Sequence, residues 1–145
     1  MTKVAVSGYF DCLHIGHCEY MKLAKELGTY LVVFLDGDNR ALAKKGYIFM
    51  PEEERAAIIR DLRYVDEVII VHDSIDKALE KYEDIQIFAK GGDRDITNLP
   101  KSEIDICNKL GIRIVTGLGN KIQSSSNLVQ NYYKKIKEFE NGKEQ

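Results

Sequence analysis

The sequence predicts an α/β domain built on a doubly wound, five-stranded parallel sheet of the Rossmann-like kind. Three observations carry that expectation. Short β-branched runs alternate five times with longer stretches of helical periodicity, a pattern that calls for parallel pairing through helical crossovers. The second run, YLVVFL at residues 30–35, is apolar throughout, as expected of a strand covered on both faces. The composition is that of a globular chain, 44% hydrophobic and 30% charged over 145 residues, which suits one ordinary domain spanning 1–145 with a single organised core.

Each element has its own signal. Val4-Ala5-Val6 opens the chain as the first strand. A helix is expected over about 15–27, with Tyr20, Met21, Leu23, Ala24 and Leu27 on one side and Gly28 as its stop. After the second strand, residues 36–50 are polar and without periodicity, and read as an irregular loop beside the site. Pro51 stands at a helix start with Glu52, Glu53 and Glu54 in the favourable first turn, and Ala56, Ile58, Ile59 and Leu62 form the buried face. Residues 68–71 are a third strand, and Asp73 or Ser74 caps a helix to about residue 82. Residues 85–89 form the fourth strand. A helix then runs from Pro100 to its stop at Gly111, and residues 112–115 form the fifth strand. A last helix spans 124–139, and about 137–145 reads as a frayed polar tail.

Composition excludes several classes. Lys and Arg number 21 against 23 Asp and Glu, for a net charge of −2, so no basic face points to nucleic acid and no acidic block to a charged tail. The apolar runs fall far short of the ~20 residues that span a bilayer, so no membrane partner is expected. The start of the chain enters a strand directly and has no signal-peptide pattern. Three cysteines at positions 12, 18 and 107 do not make a disulfide framework, and the expected compartment is a reducing cytoplasm.

The chemistry concentrates after the first strand, in Gly8-Tyr9-Phe10-Asp11-Cys12-Leu13-His14-Ile15-Gly16-His17. Two of the three histidines stand three apart where a helix begins, so both imidazoles point the same way. Gly16 between them leaves room for a ligand near the backbone. The helix N-terminus adds free N–H groups and partial positive charge. Together these make a phosphate site with two extra donors. A metal site is disfavoured, because only two ligands are local and no cysteine or acid completes a known spacing.

This segment resembles the signature of the cytidylyltransferase-like nucleotidyltransferases. The same H-I-G-H string occurs in class I aminoacyl-tRNA synthetases, but the chain is too short for one and lacks the K-M-S-K-S partner motif. From Lys3 to Val68 the sequence is similar to glycerol-3-phosphate cytidylyltransferases almost without gaps, including Leu31-Val32-Val33, Arg55 and Arg63-Tyr64-Val65-Asp66-Glu67-Val68. Lys90-Gly91-Gly92-Asp93 looks more like the adenylyltransferase domain of heptose-1-phosphate enzymes. Gln123-Ser124-Ser125-Ser126-Asn127-Leu128 sits where the family has an I-S-T-T-x-I or I-S-S-S-x-V segment opening the last helix.

The resemblance implies transfer of a nucleotidyl group from a nucleoside triphosphate, CTP or ATP, to a small phosphorylated acceptor, with release of pyrophosphate and usually with Mg²⁺. It also assigns residues. His14, His17 and Lys44 become the catalytic candidates. Tyr9, Phe10, Asp11, Gly16, Arg55, Arg63, Gly91, Asp93, Ser124, Ser125 and Ser126 become nucleotide-binding candidates, and no residue is assigned to a metal. Bland alternatives stand beside several of these. Asp11 also fits a turn-forming role, Arg55 could pair with Glu52 or Glu54, and Lys44 and Lys45 also read as solvated surface lysines. Gly91-Gly92-Asp93 also fits a plain turn, and one of the three serines suffices as a helix cap. The segment after Lys45 lacks the basic residues of relatives, and Lys121 stands near the place where glycerol-phosphate enzymes carry an arginine. Tyr64, Val65 and Ile70 offer an extra apolar face, and relatives are commonly homodimers. The expected activity is CMP transfer from CTP to an acceptor such as glycerol 3-phosphate. The alternatives are an ATP-dependent adenylyltransferase acting on a sugar 1-phosphate, a pantetheine-phosphate adenylyltransferase on the serine segment alone, and a non-catalytic nucleotide-binding module.

Overall fold

The computed structural model describes residues 1–92 and 94–143. Strands β1 (Lys3–Gly8), β2 (Tyr30–Asp36), β3 (Glu67–Val71), β4 (Ile85–Gly91) and β5 (Arg113–Leu118) pair in parallel in the order β3-β2-β1-β4-β5. Helices α1 (Ile15–Glu26), α2 (Asp38–Lys45) and α3 (Glu52–Arg60) follow β1 and β2, and α4 (Ile75–Lys81), α5 (Lys101–Leu110) and α6 (Ser125–Lys143) follow β3, β4 and β5.

The period of two along the strands divides the core. Val4, Val6, Leu31, Val33 and Leu35 face α1 and α3, meeting Tyr20, Met21, Ala24, Ala56 and Ile59. Ala5, Val32, Phe34 and Phe88 face α4 and α5, meeting Ala78, Leu79, Ile106 and Cys107. Both faces of β1 and β2 are therefore covered, which is why these strands carry no polar alternation in the sequence. No helix among the described residues is long and apolar enough to cross a membrane.

Two expectations change. Residues 36–50 are not an irregular loop, because α2 occupies 38–45. Its signals are terminal rather than periodic. Asp38 lies in the first turn, Lys44 and Lys45 in the last, and Gly46 ends it at φ +82°, where glycine is the residue of lowest strain. Only Ala41 of this helix is buried, so it lacks the apolar stripe that periodicity detects. The last helix also extends to Lys143, through the stretch expected to fray. It leaves Tyr132, Tyr133, Ile136 and Phe139 exposed.

The connections place the site. From β1 the chain steps to β2 and β3 on one side, then crosses back to β4 on the other. The ends of β1 and β4 consequently lie side by side beneath diverging loops, the position at which open α/β sheets bind ligands.

Candidate active site

A cleft of about 510 Å³ opens over that switch point. The His pair forms one wall of it. His14 is the N-cap of α1 and has an extended backbone. Its Nδ1 accepts from the Gly16 amide at 3.1 Å, and His17 Nδ1 accepts from the His14 amide at 3.2 Å. The three-residue spacing is that of a capping box, in which two side chains satisfy two orphan helix donors reciprocally. With each Nδ1 used as an acceptor, the proton of each neutral ring sits on Nε2.

The surroundings hold both rings in that neutral form. They stack at 3.7 Å between centroids with 19° between planes, and Phe10 meets His17 edge-on at 4.9 Å. Burial, then the charge of Lys45, lowers the His14 pKa. Burial, followed by His14 and Lys45, lowers His17 to about 3. The result is a pair of uncharged N–H donors above a helix N-terminus. Gly16 also has a second reason beyond ligand approach. A Cβ there would lie 2.9 Å from His14 Cε1 and push the ring from its place.

The start of α6 closes over the same wall. Ser125 Oγ donates to the Cys12 carbonyl at 2.7 Å, and Ser124 Oγ accepts from the Asn127 amide at 3.3 Å. Glu19 accepts from the Asn120 amide at 3.1 Å and ties the loop after β5 to α1. The loop after β4 presses against it so closely that a Cβ on Gly92 would stand 1.9 Å from the Gly119 carbonyl oxygen. No side chain fits there, so Gly92 is required for loop-to-loop contact.

Several candidates are placed differently from the expectation. Arg55 does not face phosphates. It is fully buried, and its guanidinium donates to the carbonyls of Met50 (2.8 Å), Tyr9 (2.6 Å) and Asp36 (2.9 Å) and to Asp38 Oδ1 (2.7 Å). Nor does it pair with Glu52 or Glu54. Asp11 is equally buried, and its carboxylate accepts the amides of Phe49 and Met50, both at 2.8 Å. It organises the approach to α3 and presents no oxygen to the cleft. Arg63 lies beyond the end of α3, so it does not share a helix face with Arg55. It lines a separate surface groove with Cys18, Met21 and Tyr64. Ser126 is exposed and stands off the cleft, whereas Ser124 and Ser125 line it. Asp93 lies outside the described residues.

Tyr9, Phe10, His14, Gly16, His17, Lys44, Gly91, Ser124 and Ser125 do converge on the cleft. Lys45 stands behind it. Its Nζ donates to the Asp11 carbonyl at 3.0 Å and lies 5.3 Å from the Tyr9 ring centroid. Sequence reasoning passed over Ser7, Asp36, Arg40, Lys90 and Glu103, all of which line the cleft. One signal was available for Asp36, the charged residue that ends the otherwise apolar β2, and for Lys90, the one charged residue of β4. Ser7 and Glu103 carried none.

No group of three or more His, Cys, Asp or Glu suited to a metal ion occurs among the described residues. The described residues therefore offer Mg²⁺ no cage of their own. That ion more commonly takes its ligands from substrate phosphates, water and one or two carboxylates.

A Rossmann-type sheet, a helix N-terminus at the switch point and paired imidazole donors define a nucleotide-phosphate-binding α/β protein. A profile of the cytidylyltransferase-like family matches residues 5–130, and the chain belongs to that family. It is 34% identical over 141 residues to an FAD synthase of Thermoplasma volcanium, covering 96% of both chains. It is 45% identical over 69 residues to glycerol-3-phosphate cytidylyltransferase of Bacillus subtilis, covering 48% of this chain and 54% of that one. Matches to the FAD synthases of Pyrococcus abyssi and Thermococcus kodakarensis span 47% and 63% of those proteins. Among solved structures, a lipopolysaccharide core biosynthesis protein from Thermoplasma volcanium superposes with a TM-score of 0.67 at 33% identity, over 80% of this chain and 95% of that one.

Two outcomes follow from this arrangement. Replacing Arg55 by Leu orphans three carbonyls and a carboxylate, so urea denaturation of Arg55→Leu should show a loss of roughly 3 kcal/mol or more. The second concerns pH. The folded His17 pKa of about 3 lies below the unfolded value of ~6.5, so between those limits the unfolded chain binds the extra proton. Stability should be intact above pH ~6.5 and fall as the pH drops toward 3. His17→Gln should flatten the curve of Tm against pH in that window, and equal slopes in both proteins would show that the imidazole titrates normally.

Proposed function

We propose that this protein is a nucleotidyltransferase that joins a nucleoside monophosphate to the phosphate of a small acceptor and releases pyrophosphate. The observation that carries this reading is the His pair. Two neutral Nε2–H donors, fixed by the capping box, flank a helix N-terminus in the cleft at the switch point. An acceptor phosphate oxygen attacks the α-phosphorus, one P–O bond forms, and the bond to the bridging oxygen breaks, so its electron pair leaves with pyrophosphate. The nucleophile is already an anion and needs no general base. What remains is alignment and stabilisation of charge growing on the α-phosphoryl and bridging oxygens. His14 and His17 donate to those oxygens, Ser124 and Ser125 cradle the phosphates at the start of α6, and Lys44 meets the acceptor phosphate. Mg²⁺ held by the triphosphate oxygens would neutralise part of their charge.

For the substrates we favour AMP transfer from ATP to flavin mononucleotide, because the FAD synthase likeness runs through both halves of the chain. CMP transfer from CTP to glycerol 3-phosphate is the second reading, supported by the 45% identity over 69 residues to the Bacillus subtilis enzyme, a figure that the FAD synthase of Pyrococcus abyssi equals. The Lys90-Gly91-Gly92-Asp93 segment supports a sugar 1-phosphate as a further acceptor to test. We also place a homodimer contact at the groove around Arg63 and Tyr64, next to Val65.

Pyrophosphate release, with mass spectrometry of the product, separates these readings when ATP and CTP are crossed with the three acceptors. In the productive pair, His14→Ala and His17→Ala should each fold normally and lose about 10²–10³ in kcat, as expected for one preorganised donor, with far smaller changes in nucleotide KM. The double variant should lose less than the product of the two, since both act on one transition state. Cys18→Ala, a small change on the exposed side of α1, should stay within about threefold of the parent protein. A folded His17→Ala with unchanged kcat would remove the main support for this function. Light scattering at micromolar protein should give the mass of two chains, and a single-chain mass would reject the dimer.

A further inference from the structure

The cleft has a second half, on the opposite side of β1 from the His pair. There the last residues of β2, β1 and β4 point toward α4 and α5, the face that Phe34, Ala5 and Phe88 cover one layer below. In place of a further apolar layer stand Asp36, Ser7 and Lys90, and Glu103 joins them from the first turn of α5. The charged members are nearly sequestered, with Asp36 at 5%, Lys90 at 7% and Glu103 at 9% exposure. They nevertheless line the open cleft.

The pairing is loose for a purely structural device. Lys90 Nζ lies 3.4 Å from Glu103 Oε1 and 3.1 Å from Ser7 Oγ, against 2.7–2.9 Å for a tight charge-assisted bond. Burial lowers the Lys90 pKa, and Glu103 only partly offsets this. A buried ion pair is weak evidence for stability, since apolar residues of similar volume commonly do as well. The ammonium has three protons and two hydrogen-bond partners among the described residues, with the Phe88 ring centroid 4.8 Å away.

The charge balance limits what such a floor accepts. Asp36 pairs with Arg40 at 2.5 Å and Glu103 with Lys90, so these four charges cancel, while Arg94, which lines the same cleft, donates to the Asn98 carbonyl at 3.0 Å. A second phosphate would meet two carboxylates here. A neutral group that both accepts and donates hydrogen bonds fits, with Lys90 donating and Glu103 accepting. We propose that Lys90, Glu103 and Ser7 bind the end of the acceptor remote from its phosphate, and that this end is a neutral group that both donates and accepts hydrogen bonds, the imide edge of a flavin in the reading favoured above, rather than a second anion. This rests on the reading that the His wall takes the triphosphate, and it names the acceptor class for the other wall.

The test compares Lys90→Met, Glu103→Gln and Ser7→Ala with the parent protein, each checked for folding by circular dichroism. With ATP and flavin mononucleotide, Lys90→Met should raise the flavin KM about ten- to hundredfold, since a buried partner is left unpaired. The ATP KM should stay within twofold and kcat should change less than the flavin KM. Glu103→Gln and Ser7→Ala should raise the same KM by smaller factors, and they carry the test if Lys90→Met fails to fold. An unchanged flavin KM in the folded variants, or a rise confined to the ATP KM, overturns the proposal. Use of glycerol 3-phosphate but not flavin by the parent protein also overturns it, while nucleotidyl transfer stands. If no pair releases pyrophosphate, the proposed function fails on its own account. Quenching of flavin fluorescence then decides the subsite: binding by the parent protein that weakens tenfold or more in Lys90→Met supports it, and no binding or equal binding rejects it.

Discussion

The buried guanidinium of Arg55 sits where four segments meet. It receives the carbonyl of Tyr9 from the loop after β1, that of Asp36 from the end of β2, that of Met50 before α3, and the carboxylate of Asp38 at the start of α2. Three carbonyls and a carboxylate crowded into a dry space would be costly without a donor of this shape. A planar fork with five N–H groups can serve them all, and an ammonium cannot. Asp11 completes the arrangement from the other side by accepting two amides next to Met50. The loop that carries His14 and the helix that carries Lys44 thereby keep a fixed relation without either of the two buried charges entering the cleft.

That division of labour separates charges that hold the site from those that face a ligand. Buried Asp11 is held by backbone amides, and buried Arg55 by three carbonyls and the Asp38 carboxylate. Besides the cations Lys44, Arg94 and Lys121, the cleft is faced by uncharged donors at the His wall and by a row of opposed charges on the far wall. Keeping the imidazoles uncharged has a chemical consequence. A neutral N–H donor strengthens its bond as charge grows on a phosphate oxygen, without first binding the ground-state tetraanion so tightly that the gain is lost. Lys45 contributes from behind, since its charge helps hold both imidazoles in that form.

Much of the cleft was legible because its signals are local. The H-x-G-H segment is a helix start and a pair of donors at once, and the same three-residue spacing serves both. Tyr9, Phe10, Gly91, Ser124 and Ser125 sit at strand ends or a helix start, where ligands of parallel sheets gather. Arg55 and Arg63 were misread because a basic residue near a phosphate site has the same local sequence whether it turns inward to carbonyls, outward to a separate groove, or toward the ligand. Helix α2 was missed because only Ala41 anchors it, so its periodicity is nearly silent although its capping signals are present.

The sequence alone determined the strand count, the alternation of elements, the continuous burial of β2, and the His pair at a helix N-terminus. Each of these rests on neighbours within a few residues, through side-chain period, chain stiffness or cap chemistry. Only the tertiary structure decided which charges are partners. Ser7, Lys90 and Glu103 are separated by 83 and 13 residues along the chain and meet because β4 crosses back beside β1. The direction of a long charged side chain is set by the carbonyls and carboxylates that the packed chain brings within its reach, and those are not neighbours in sequence.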